Sequence, residues 1–148
     1  MEILGVPIRL FILNLAIILA ITALIFLPSL TSFGNTLLGA EDIRFFLWCF
    51  WHYEHAIQSG TNPLSAGEIF YPFGISLSQT SLFPFQTAIY IALPDSFGPF
   101  GKVTVLQVLS YILGGIFSFS LVYKFTKSFL PSLTGSFIYN FSVYHFEK

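Results

Sequence analysis

The chain has 148 residues, of which 55% are hydrophobic, 19% aromatic and only 9% charged, with a formal net charge of −1 and a mean hydropathy of +0.78. So few charges over this length exclude an ordinary soluble domain and place the chain among membrane proteins. The basic residues Arg9, Arg44, Lys102, Lys124, Lys127 and Lys148 are scattered, and Cys49 is alone; this excludes nucleic acid as a partner, an internal disulfide framework and a cysteine-based zinc site.

Leu10 to Leu27 gives eighteen residues without a charge, about what a helix needs to cross the hydrocarbon core. A first span is predicted over about residues 10–28. A secretory signal is the competing reading, but its apolar core is usually about 7–15 residues and ends at small residues, whereas Pro28 and Leu30 follow here. Val103 to Tyr123 is a second charge-free stretch, with Gly114-Gly115 at its middle, where small residues let helices pack closely. A third, shorter and more polar, covers residues 128–144. Positive charge marks cytoplasmic ends, so Arg9, Lys124 and Lys127 place the N-terminus inside and a loop of about residues 29–102 outside. Ser81 to Leu93 is also apolar, but Pro84 lies inside it and Pro94 closes it, which suits an interfacial or re-entrant helix. The fold class expected is an all-α integral membrane protein of three transmembrane helices with a long extracytoplasmic first loop that contains interfacial helices.

A loop of this length is far more than a connection requires, and such loops are usually functional. It opens on Glu41-Asp42, an adjacent pair in a chain with seven acidic residues. The stretch after Asp42 reads as a helix ending at Gly60 and the turn Thr61-Asn62-Pro63. At 100° per residue Ile43, Phe46, Phe50, Tyr53 and Ile57 gather on one side, with Arg44, Trp51, Glu54, His55 and Gln58 opposite, the pattern of a helix lying on a membrane surface. Trp48 and Trp51 suit the headgroup level. Asp42 at the helix start has two readings: an N-cap, or, with Glu41 beside it, one of two carboxylates that divide general-base work from cation or acceptor binding. His52 and His55, three apart, have a spacing that can hold a metal, although histidines bound to headgroups or loop backbone are commoner and the HExxH pattern is absent. Glu68 to Gly74 joins aromatics to a Pro and a Gly; it is either a turn packed on the surface helix or an aromatic wall, with Tyr71 in it, suited to a sugar or an isoprenoid chain. Asn140-Phe141-Ser142 matches a glycosylation acceptor pattern within the expected third span and is discounted.

Glu41-Asp42 after the first span, Phe46 and Trp48 in the surface helix, Gly60-Thr61-Asn62-Pro63, Phe70-Tyr71-Pro72-Phe73-Gly74, and the stretch from Gly135 to His145 together resemble the N-terminal part of the GT-C membrane glycosyltransferases. The resemblance implies transfer of a sugar from a polyprenyl-phosphate donor with inversion at the anomeric carbon. It implies Asp42 as the catalytic carboxylate acting on the acceptor hydroxyl and Glu41 as its helper at the acceptor or a cation. Arg44 and His55 become candidates to meet the donor phosphate, with Tyr71 a candidate substrate contact; a divalent cation is a candidate cofactor and no protein metal site is assigned. Members of this superfamily have more spans, so the chain is expected to be the N-terminal module of a larger protein, inactive by itself. Its partners would be membrane lipid, the lipid-linked donor and the remaining spans of the parent protein. A non-catalytic membrane protein of lipid or cell-envelope assembly is the alternative; a small transporter would want ionisable groups within the spans, and the expected spans have none.

Overall fold

A computed structural model describes residues 1–37, 42–79 and 84–142, and the described chain is mostly helical. It begins with a two-residue hairpin, β1 (Glu2–Ile3) and β2 (Val6–Pro7), turned by Leu4 and Gly5 at positive φ. The helix α1 (Ile8–Ile25) follows, then the short α2 (Leu27–Thr31). Pro28, near the start of α2, has no N–H with which to prolong the α1 ladder. The expected first span is therefore divided, with its C-terminal residues in α2.

The helix α5 (Gly98–Thr126) is the longest element. At 1.5 Å per residue the 18 residues of α1 reach about 27 Å and the 29 of α5 about 43 Å, against a hydrocarbon core of about 30 Å. Both are long and apolar enough to cross a membrane, and only 17% and 22% of their apolar windows are buried inside the molecule. Ile12, Leu24, Phe117 and Leu121 face outward, as in helices solvated by lipid and unlike the middle of a soluble core. The last helix, α6 (Phe129–Asn140), supplies 12 of the residues of the expected third span, about 18 Å of helix; residues 143 and 144 of that expectation lie outside the described residues.

The helices α1, α5 and α6 pack as successive antiparallel neighbours. Val6 is buried with Phe119 and Tyr123, and Phe26 meets the Tyr111 ring edge-on at 5.3 Å. Lys127 takes a left-handed conformation that ends α5 and turns the chain back. From there α6 returns along α5 with polar contacts at each level: Thr126 with Ser132 at 3.2 Å, Ser118 donating to Ser136 at 3.1 Å, Ser136 donating to the Gly115 carbonyl at 3.0 Å and Asn140 donating to the Tyr111 carbonyl at 2.8 Å. This last bond buries the amide of the discounted glycosylation pattern.

The glycine pair is what admits both neighbours. A Cβ on Gly114 would lie 2.6 Å from Asn140 Oδ1, and one on Gly115 2.8 to 2.9 Å from three carbons of Ile18. Close backbone approach of this kind replaces the hydrophobic driving force that helices lack in lipid.

Between the long helices lies a lobe built on α3 (Asp42–Ser59). Its N-terminal start and its end at Gly60, φ +69, agree with the predicted helix. After the turn come β3 (Ser65–Ala66) and β4 (Ile75–Ser76), paired antiparallel in the register Ser65 to Ser76 and Ala66 to Ile75, then α4 (Pro84–Ala92). Residues 81–83 of the expected apolar stretch lie outside the described residues; the nine described residues of α4, about 13 Å, are too few to cross a membrane. The expectation that α3 lies on a surface by one face is corrected. One side packs Phe50 against Tyr90, Val103 and Leu106, with Ile43 and Phe46 beside them. Another side packs Cys49 and Tyr53 against Ala66 and Leu77 of the hairpin. The lobe thus sandwiches α3 between the hairpin and the α4–α5 layer.

Replacing Gly115 with Ala should lower stability by about 1–3 kcal/mol, because the methyl must displace Ile18 in a packed helix crossing. Thermal unfolding in detergent micelles checks this, and adding Ile18→Ala should return part of the lost Tm.

Candidate functional site

The residues singled out from the sequence occupy separate places on the lobe. Asp42 is exposed at the first position of α3 and has no ion pair among the described residues. The free N–H groups of a helix start and the positive end of its dipole favour a carboxylate there. Its proposed companion Glu41 lies outside the described residues, as does His145. Arg44 is exposed one half-turn on. His55, exposed on α3, stacks flat on Trp51 at 5.4 Å with 3° between the planes. Thirteen residues of helix separate Asp42 from His55, about 20 Å along the axis, and Tyr71 is exposed in the turn between β3 and β4. Asp42 and Arg44 share the first turn of α3 but lie about 200° apart around its axis, and His55 is more than three turns on.

His52 and His55 have different surroundings despite their spacing. His52 is buried, stacked on Trp48 at 5.1 Å. Its Nδ1 is 3.8 Å from a Glu68 carboxylate oxygen, too far for a hydrogen bond, and neither ring nitrogen has a hydrogen-bond partner. Among the described residues no three of His, Cys, Asp and Glu come together as a metal-binding set. Cys49 is buried, which pushes its thiol above the usual range and works against a nucleophilic thiolate.

A charge cluster that the sequence analysis did not anticipate joins the lobe to α5. The Lys102 side chain, 2% exposed as a residue, donates to Glu54 of α3 at 2.7 Å and to Asp95 at 2.8 Å. Asp95 lies in a short 3-10 turn, Asp95–Phe97, just before α5. The ammonium also sits 5.1 Å from the centre of the Tyr90 ring. Burial, reinforced by Glu54 and Asp95 and opposed by Lys102, raises the Tyr90 phenol above its ordinary value, so it remains a neutral group within the cluster at physiological pH.

Glu54 was expected on the exposed side of α3, and the contact with Lys102 corrects that. The signal was present: a lysine at the edge of a long apolar run must snorkel to water or find carboxylates. Placing Glu54 beside it required knowing how α3 crosses α5. Lys102 also explains why α5 begins at Gly98, ahead of the expected Val103: a lysine neutralised by two carboxylates does not need to end the helix.

Two concave surfaces border the lobe. A groove of about 450 Å³ between α3 and α4 is lined by Tyr53, Ile57, Leu64, Pro84, Ala88 and Ile91 among others, a volume typical of ligand sites. Its walls are hydrocarbon and aromatic, so it suits an apolar chain better than a sugar. A second, more polar hollow adjoins the hairpin and includes Asn62, Leu64, Phe73 and Ser76.

The three partners of the charge cluster should respond differently to neutralisation. Lys102→Met, which leaves Glu54 without its cation, should cost about 3 kcal/mol, and Glu54→Gln about 2 kcal/mol. Asp95→Asn should cost about 0.5 kcal/mol, because its side chain is 90% exposed and largely solvated. Ranking the three variants by thermal unfolding in micelles checks the assignment.

No family model, curated protein or solved structure matches the chain in comparisons with known proteins.

Proposed function

We propose that the chain is the membrane module of an inverting glycosyltransferase of the GT-C type. It would use a polyprenyl-phosphate sugar on the extracytoplasmic side of a bacterial or archaeal plasma membrane, with the spans of the larger protein completing the site. The observation that carries this reading is Asp42: a carboxylate exposed at the start of α3, without a cation partner among the described residues, in the lobe between two helices long enough to cross a membrane. Glu54 and Asp95 are both engaged by the single ammonium of Lys102, and Glu68 faces His52. Asp42 therefore remains available to accept a proton from, or orient, an acceptor hydroxyl as that oxygen attacks the anomeric carbon and the lipid phosphate departs.

The rest of the lobe supports the same chemistry by its composition. Arg44, exposed in the same first turn of α3, is the cation proposed to meet the donor phosphate, and the apolar groove between α3 and α4 offers walls for the hydrocarbon of a lipid-linked donor. Glu41 keeps its proposed role as helper. Tyr71 keeps its proposed role as a substrate contact, and His55, about 20 Å along α3 from Asp42, would serve the same donor only if it extended along the lobe.

That separation is also what favours the second reading, a non-catalytic membrane protein of lipid or cell-envelope assembly. The test is transfer of radiolabelled sugar from a polyprenyl-phosphate donor in membranes carrying the protein together with its downstream spans. Asp42→Asn should reduce transfer by about 100-fold or more with Tm unchanged, since Asn also caps a helix. Equal transfer by both forms would locate the chemistry elsewhere and leave Asp42 as a cap.

A further inference from the structure

The sequence allowed the Phe70–Phe73 segment to pack on α3, and in the structure it does not. Phe70, Tyr71 and Phe73 are 72%, 86% and 94% exposed. Phe70 has φ +55, a left-handed conformation that a bulky side chain rarely adopts. Its carbonyl accepts the N–H groups of Phe73 at 3.0 Å and Gly74 at 3.2 Å. Gly74, at φ +67, brings the returning strand so near that a Cβ would lie 3.1 Å from the Ala66 carbonyl oxygen. The tip is therefore a built turn that presents its rings outward, and contiguous exposed aromatics of this kind mark an interaction surface.

Three observations identify what the surface meets. The first is continuity: Leu64 lines both the groove between α3 and α4 and the hollow containing Phe73 and Ile75. The tip and the apolar groove therefore adjoin through a hollow in which Leu64, Phe73 and Ile75 lie among uncharged Asn62, Ser65, Ser76 and Ser78. The second is charge. Among the described residues no Asp, Glu, Lys or Arg lines either hollow, and Glu68, the one ionisable side chain between Thr61 and Gln79 apart from the Tyr71 phenol, approaches His52 of α3. The third is position, since the lobe is tethered on both sides to helices long and apolar enough to cross a bilayer.

We propose that the Phe70–Phe73 tip, with the uncharged hollow behind it, inserts into the interfacial layer of the same bilayer that α1 and α5 cross. The Phe70 and Phe73 rings enter the boundary of the acyl chains, and the Tyr71 hydroxyl stays among the headgroups. The lobe then leans on the membrane with the open side of its apolar groove toward lipid. This assignment is independent of glycosyl transfer and stands or falls by itself.

The experiment uses the full chain in phosphatidylcholine vesicles, with Cys49→Ala and a single new cysteine carrying a nitrobenzoxadiazole label. The labelled variants are Phe73→Cys at the tip, Ser96→Cys as an exposed polar control, and Leu121→Cys on the outward face of α5. The label at residue 73 should be blue-shifted, lose most of its emission to lipids with a nitroxide high on the acyl chain, and resist aqueous iodide. The label at residue 96 should show the reverse, and that at residue 121 should be quenched by a deep nitroxide. A tip label quenched by iodide while residue 121 is quenched by lipid would overturn the proposal, because the tip would then face water. A tip shielded from both quenchers would overturn it as well, in favour of a protein partner. Residue 121 beyond the reach of deep nitroxides would remove the bilayer itself and with it the insertion.

Discussion

The buried ammonium of Lys102 is the constraint on which the arrangement of the lobe depends. A charge removed from water at the edge of an apolar helix is costly unless carboxylates surround it, and here they come from two directions: Glu54 from α3 and Asp95 from the turn before α5. Meeting that requirement fixes where α3 crosses α5. The same crossing stacks Phe50 on Tyr90 at 5.3 Å and closes the apolar cluster around Val103 and Leu106. With α3 held there, its start carries Asp42 to one end of the lobe, and its opposite side becomes the seat of the β3–β4 hairpin.

A different physical regime governs the long helices. Two of them are long and apolar enough to cross a membrane; in lipid, contact between such helices would gain little from burial, and association would depend on close packing and on hydrogen bonds that lipid cannot replace. Gly114 and Gly115 supply the first by letting Asn140 and Ile18 approach the α5 backbone. Serines 118 and 136 and the Asn140 amide supply the second. Asn14 and Thr22, buried in α1, have side-chain polar atoms without a hydrogen-bond partner; the packing offers no physical account of them.

The functional reading turns on a division among carboxylates. Those in contact with Lys102 do structural work by neutralising it, and chemistry at them would release the clamp between α3 and α5. Asp42 is not held in this way, which separates the part of the lobe that must stay fixed from the part that can meet a substrate. A membrane-leaning hairpin adds a third part, one that orients the lobe relative to the lipid from which a polyprenyl donor would arrive.

The two helices long and apolar enough to cross a membrane, the extent of α3 and the closeness permitted at Gly114-Gly115 can all be read from residue order, because run length, periodicity, turn residues and the absence of a side chain act locally. Three things could not be read that way. The ion pairs of Lys102 join residues 48 apart in the chain as well as neighbours seven apart, and no local pattern distinguishes the half-buried Glu54 from exposed acidic residues. The same is true of His52 and His55, which share a helical spacing but differ in burial because the hairpin covers only one of them. The outward turn of Phe70 to Phe73 was open between packing and exposure, since aromatic composition serves both. Each was decided by how helices and hairpin cross in three dimensions, because burial, and with it the cost of a charge or an exposed ring, belongs to the surroundings of a residue and not to its type.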